Sequence, residues 1–275
     1  MGEISQTNGT TLTMDEELAQ LIAQNERAQK AELADSSNVD YITLAKPASK
    51  ALKRASDKYI EGLGIDDFYI QKSKMNLGKD LFAVPLMFIT VYNEMESSDL
   101  NAKMLGIWAK EQAEQYPLVE GSFYNHKLPN GHILVPSNWV AVELLRYEGG
   151  EVTGHLDIEF GVVAYKSTGS RIWRAWKKDV KSRAGSSATL VYHLASEEQH
   201  NANHDWTDIG FTFAGNLLEM SKIEAIHCLK KSNQIHEAYD QHFIVPLKEV
   251  DIKAIPDNTA ESLASEVAED DDLAF

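Results

Sequence analysis

Apolar residues along much of this chain either run unbroken or alternate with polar ones, the two patterns of a β-strand. Leu81 to Tyr92 is almost continuously apolar, and Pro85 inside it predicts a bulge or an edge position. Asn130-Gly131 signals a turn, and Ile133 to Tyr147 reads as extended. Glu148-Gly149-Gly150-Glu151 then closes a hairpin. Its returning strand sets Leu156, Ile158, Phe160 and Val162 on one face and His155, Asp157 and Glu159 on the other, wet one. Further strands are predicted at Phe68 to Lys74 leading to Leu77-Gly78, at Thr189 to Leu194, at Ile209, Phe211 and Phe213, and at His242 to Leu247. Ala195 to Asp205 reads as a polar loop.

Helical spacing is predicted in fewer places. Thr13 and Glu16 form a capping box ahead of Leu18, Leu21, Ile22 and Ala28, a weak stripe ending near Leu33. Ala45 to Glu61 has Pro47 in its first turn and Gly62 and Gly64 beyond it. Asp99 to Tyr116 places Leu100, Met104, Ile107 and Trp108 roughly on one side. A helix capped by Ser170 runs to about Lys181. Leu217 to Leu229 has mixed periodicity that separates neither helix nor strand. Five to seven strands with a few helices make a mainly β, α+β fold, an antiparallel barrel or small sandwich.

Composition allows a sizeable core, since 43% of the 275 residues are apolar. Cys228 is the sole cysteine, which excludes a disulfide framework and a multi-cysteine zinc site and fits a reducing cytoplasm. No signal peptide pattern and no membrane-length apolar run occurs, so no membrane is expected. The net charge of −16 looks wrong for a nucleic-acid binder, but it is unevenly spread. Residues 257–275 hold seven acids and no Lys or Arg, and residues 1–35 hold seven acids and two bases. The body between, 36–256, carries 28 acids and 24 bases, which leaves room for a locally basic face.

The richest candidate chemistry in that body is Tyr165 to Arg183. Lys166, Arg171, Arg174, Lys177, Lys178, Lys181 and Arg183 oppose one acid, Asp179. On the predicted helix Ile172, Trp173, Trp176 and Val180 share one side, with Arg171, Arg174, Lys178 and Lys181 on the adjacent one. Two readings stand. In one, the tryptophans are core and the cations are solvated. In the other, the cations track phosphates while Trp173, Trp176 or Tyr165 offers a stacking face, worth about 1–3 kcal/mol per base. Lys50, Lys53 and Arg54, with Lys46 and Lys58, give the Ala45–Glu61 segment a second basic face, again either solvated or phosphate-contacting. Phe82, Phe88, Tyr92, Trp139 and Tyr147 are further rings that stack or pack.

Other constellations are set aside. His200 and His204, near His193, lack the intervening glutamate of a zinc-protease motif. Gly78-Lys79 lacks the glycine spacing of a phosphate loop. Strand alternation accounts for Asp157 and Glu159 without Mg²⁺. Cys228 beside His227 reads as a buried thiol. No cofactor, metal or catalytic residue is expected.

The sequence closes on Asp270-Asp271-Asp272-Leu273-Ala274-Phe275. Three aspartates, Leu273, an aromatic ring and a carboxylate make a hook for a partner with an apolar pocket rimmed by basic residues. Burying the Phe275 ring would supply roughly 1.5–3 kcal/mol. This stretch closely resembles the acidic tip of bacterial single-stranded-DNA-binding proteins, and the replicative single-strand binders of tailed phages have a similar acidic tail with a terminal Phe. The resemblance covers about the last six to ten residues. The body aligns with no stretch of the bacterial family, which favours a phage-type relative. It implies docking of DNA polymerase, helicase/primase or recombination proteins on the tail, and competition between tail and DNA for a basic groove. It also implies an elaborated oligonucleotide-binding (OB-like) antiparallel barrel. The expected layout is an N-terminal arm and helix (1–35), a DNA-binding core (36–256) and a disordered acidic tail (257–275). The protein is then a non-enzymatic, sequence-independent binder of single-stranded DNA in phage replication or recombination, in the host cytoplasm, with self-association possible. Two rivals remain: an acidic-tailed adaptor or inhibitor that binds no DNA, and a metal-dependent nuclease or annealing enzyme.

Overall fold

The computed structural model of the protein describes residues 39–99, 102–158, 161–166, 169–200, 205–242, 244–245 and 247–248. The fold is mainly β, and its sheet curls into a half-barrel. Among the described residues eleven strands make that one sheet. They are β1 (Asp40–Leu44), β2 (Phe68–Ile70), β3 (Met75–Gly78), β4 (Leu81–Met95), β5 (Met104–Trp108) and β6 (His126–Lys127). They continue with β7 (Ile133–Glu148), β8 (Glu151–His155), β9 (Gly161–Lys166), β10 (Leu190–His200) and β11 (Asp205–Asn216). The order is β11-β10-β4-β7-β9-β1-β2-β3, with β5 beside β4, and β6 and β8 beside β7. Pairing is antiparallel except between β1 and β9. The helices are α1 (Lys110–Ala113), α2 (Ser170–Ser182), α3 (Leu217–Met220) and α4 (Lys222–Asp240).

The long central strands β4 and β7 are apolar on both faces because both faces are covered. On β7, Trp139 and Ala141 pack into one cluster with Cys228, Leu229, Ile235 and Tyr239 of α4. Val140, Val142 and Leu144 pack into another with Ile172, Trp173, Trp176 and Val180 of α2. So α4 and α2 lie on opposite faces of the sheet. On β4 the register slips between Pro85 and Met87, which is the bulge that Pro85 predicts. The slip puts Val84 and Leu86 on the α4 side and keeps Met87, Ile89 and Val91 there as well.

The hairpin at Glu148–Glu151 forms as expected, but its returning strand breaks in two. Both parts pair with β7, β8 ending at His155 and β9 starting at Gly161. Across the break Ile158 and Val162 fall into different clusters, so the predicted common face does not persist. Glu159 and Phe160 lie outside the described residues.

Four other expectations are corrected. Asp99 to Tyr116 is not one helix: Met104–Trp108 is β5, and only the single turn α1 is helical. The far end of β4 offers unpaired backbone there, and Trp108 Nε1 donates to Glu94 Oε2 at 2.8 Å. Ala45 to Glu61 is a string of turns around a 3-10 turn at Lys50–Leu52. Ala51 and Ile60 fold back onto Tyr69, with Ile60 N–H donating to Ala51 O at 2.9 Å. The polar segment from Ala195 is strand rather than loop, because β10 continues to His200 and β11 begins at Asp205. Its exposed Glu197 and Glu198 disguise it. The described residues of 242–247 form no strand, although Val245 joins the core. Leu217 to Leu229 resolves into α3 and the start of α4, whose Ser221 hydroxyl accepts from Glu224 N. The expected N-terminal helix and the acidic tail lie outside the described residues.

Candidate nucleic-acid interface

Helix α2 is anchored by the side that its periodicity marks as apolar. Ile172, Trp173, Trp176 and Val180 are all buried, and together they supply on the order of 10 kcal/mol before ordering entropy is subtracted. Trp173 Nε1 donates to the Trp139 carbonyl at 3.0 Å. The Trp176 ring stacks on Phe211 with centroids 5.5 Å apart and meets Phe88 and Tyr192 edge-on. Tyr165 is buried as well, its hydroxyl donating to Ile209 O at 3.0 Å. The stacking role considered for Tyr165, Trp173 and Trp176 is therefore corrected: all three rings are buried within the protein.

The helix starts one residue away from the expected cap. Gly169 is the N-cap, and the Ser170 hydroxyl instead accepts from Asn138 Nδ2 at 2.9 Å. A Cβ at Gly169 would lie 2.8 Å from Asp208 Oδ2 and 3.2 Å from the Tyr165 ring, so a larger residue there would push the Asp208 carboxylate aside.

The cations divide into three groups. Arg171, Arg174, Lys178 and Lys181 are exposed on the outer side of α2. Arg171 donates to Gln199 Oε1 at 2.7 Å and Arg174 weakly to Ser170 O, and among the described residues none of the four has an acidic partner. Lys177 lies over the Trp173 ring, 4.7 Å from its centroid. Arg183 is neutralised: its Nε and Nη2 donate to the two Asp179 oxygens at 2.8 and 3.0 Å, and its guanidinium lies 3.6 Å from the Phe213 centroid. Of the cations expected on DNA, Arg183 is thus held by an acidic partner on its own helix. Lys166, at the end of β9, lines a cleft of about 440 Å³ with Tyr41, Thr43, Lys46, Trp139 and Asp208. Although much of its side chain is exposed, desolvation of its ammonium lowers its pKa. Asp208 joins this cleft to the head of α2, through its approach to Gly169. Lys50, Lys53 and Arg54 sit exposed on the turns that follow Lys46.

No family model, curated protein or solved structure matches the chain. Function is accordingly read from geometry.

Four guanidinium or ammonium groups along 11 residues of one helix (171–181) form a linear cationic row. Sequence reasoning missed the most exposed aromatic rings among the described residues, Phe123 and Tyr124, which are 85% and 69% accessible between α1 and β6. They carry no periodic signal, because they sit in a turn. The stacked pair Phe82–Tyr147, 4.0 Å between centroids, is half-buried, whereas Tyr92 and Trp139 are core. Also missed is a cluster of Glu143, His155 and His227 on the α4 face, gathered from the β7–β8 hairpin and the distant α4.

Proposed function

We propose that this protein binds single-stranded DNA without reading its sequence and carries no catalysis of its own. One observation supports the reading most: the outer side of α2 displays Arg171, Arg174, Lys178 and Lys181 without acidic partners among the described residues, in a chain of net charge −16. A row of cations held on a buried tryptophan base neutralises phosphates at a fixed spacing. Stacking falls to exposed rings, and Phe123 and Tyr124 are the first to test. The curled sheet is read as an elaborated OB-like barrel, with the strands beyond five as additions. The segment Asp270–Phe275 serves as the hook for replication or recombination proteins, and it competes with DNA for the cationic row as a tethered anion.

A gel shift with a long oligothymidine, against duplex of equal length, tests the reading. The intact protein should retard the single strand preferentially, and a variant with Arg171, Arg174 and Lys178 all changed to Ala should not. Retention of DNA binding by that variant removes α2 from the interface. Absence of binding by the intact protein favours the adaptor, and divalent-metal-dependent degradation of the strand favours the nuclease.

A further inference from the structure

The α4 face of the sheet holds an arrangement that strand and helix packing do not require. Glu143 stands in the middle of β7 with its carboxylate 1% exposed, on the side of the strand that α4 covers. A carboxylate is costly to bury there unless cations or donors surround it. Two groups from α4 meet it. His227 Nε2 lies 3.2 Å from Glu143 Oε1, and the Lys231 ammonium pairs with Oε2 while also donating to Ile158 O at 2.8 Å. His155, at the end of β8, stacks on His227, with ring centroids 4.1 Å apart and planes within 9°. For both in-plane lone pairs to meet one ion, one of these partly exposed rings turns out of the stack. The ligand atoms of Glu143, His155 and His227 all fall within 4.8 Å of one another.

The geometry points to a site for a divalent cation of the zinc class, held by Glu143, His155 and His227. Two imidazoles and one carboxylate are a borderline nitrogen–oxygen set, suited to Zn²⁺, Co²⁺ or Ni²⁺ rather than to Mg²⁺ or Ca²⁺, which want oxygen alone. In a tetrahedral site with bonds of about 2.0–2.2 Å, ligand atoms stand roughly 3.3 Å apart, which is the separation His227 and Glu143 already have. His155 carries the outer partner such a ligand needs: its Nδ1 faces Glu224 Oε2 at 3.2 Å, leaving Nε2 to donate its lone pair. Lys231 holds Oε2 of Glu143, so Oε1 is the oxygen that binds the ion. The same three residues line an open cavity of about 430 Å³ with Asp157, Lys230, Lys231 and Gln234, which leaves the remaining coordination position to water. The ion ties β7, β8 and α4 together. It lies across the sheet from α2 and does not depend on DNA binding.

Metal binding is measured on the full chain after chelator dialysis, using Co²⁺ as probe, by calorimetry and visible absorption. The wild type and a His193→Ala control should bind one more Co²⁺ per chain than His155→Ala or His227→Ala, with the ligand-field bands of a low-coordinate site. His155 lies at the surface end of β8, so its replacement leaves the core intact. Glu224→Gln should weaken binding about 10- to 100-fold. Zn²⁺ should raise the Tm of the wild type and of neither ligand variant. Equal Co²⁺ uptake by wild type, His155→Ala and His227→Ala overturns the site, as does the absence of uptake by the wild type.

Discussion

Asp179 shows at the scale of one residue how α2 is locked to the sheet. Its carboxylate accepts from Arg183 and from the Tyr192 hydroxyl, the latter at 2.7 Å, while Arg183 covers the Phe213 ring. Hydrogen bonds from Arg183, opposed by desolvation and helped by Tyr192, hold the Asp179 pKa below its ordinary value. A depressed folded-state pKa contributes stability that is fully present above the unfolded pKa of about 3.9 and fades as pH falls through the folded value. Asp179→Asn should cost about 1 kcal/mol at neutral pH and shrink the loss of Tm on acidification below about pH 4. Thermal unfolding across that range checks both. Trp176 is fully buried, so Trp176→Ala should destabilise by about 3–5 kcal/mol in chemical denaturation. Cys228 is buried in the α4 cluster, and desolvation first, then the nearby Glu143 and Glu224 charges, raises its thiol pKa. A thiol reagent should label it slowly in native protein and quickly in denaturant. Helical periodicity puts Ile172, Trp173, Trp176 and Val180 on one side of α2, and the packed sheet decides that this side is buried. The Asp179–Arg183 pair has an i,i+4 spacing that the sequence carries, but its reinforcement is not legible there, because Tyr192 and Phe213 come from strands that follow in sequence.

Local pattern decides an element only when that element can satisfy itself. Helix α2 has a wide apolar side and a cationic one, and it forms within a residue of its expected bounds. Segment 99–116 has a comparable spacing of large apolar residues, yet Met104–Trp108 becomes a strand because the extended end of β4 needs a backbone partner. The segment 195–205 hides two strand ends in polar sequence, since Ser196, Glu197, Glu198, His200 and Asp205 there are exposed. The cationic row is a property of the whole helix, and so is its salt dependence. Replacing Arg171, Arg174 and Lys178 by Ala should weaken single-strand binding at least tenfold and reduce the slope of log K against log salt by about 2, at roughly 0.7 per phosphate contact. Fluorescence or gel-shift titrations at several salt concentrations measure that slope.

Across the whole molecule, charge is the organising quantity. Residues 257–275 hold seven acids without a base while the body between 36 and 256 is near balance, and under the proposed function this segment competes with DNA for the exposed cations. Removing residues 257–275 should tighten oligothymidine binding, most at low salt, where screening is weakest. Unchanged affinity at low salt would separate the acidic segment from the cationic row. By itself the sequence determined the mainly β class, the β7–β8 hairpin, the bulge at Pro85, the amphipathic helix and the uneven charge, because each depends on neighbours within a few turns or one strand pair. Only the tertiary structure decided which cations stay without acidic partners, which rings are buried, and that Glu143, His155 and His227 meet. Each depends on contacts between elements distant in the chain; Glu143 and His227, for example, meet across 84 residues, and no local period encodes a contact of that range.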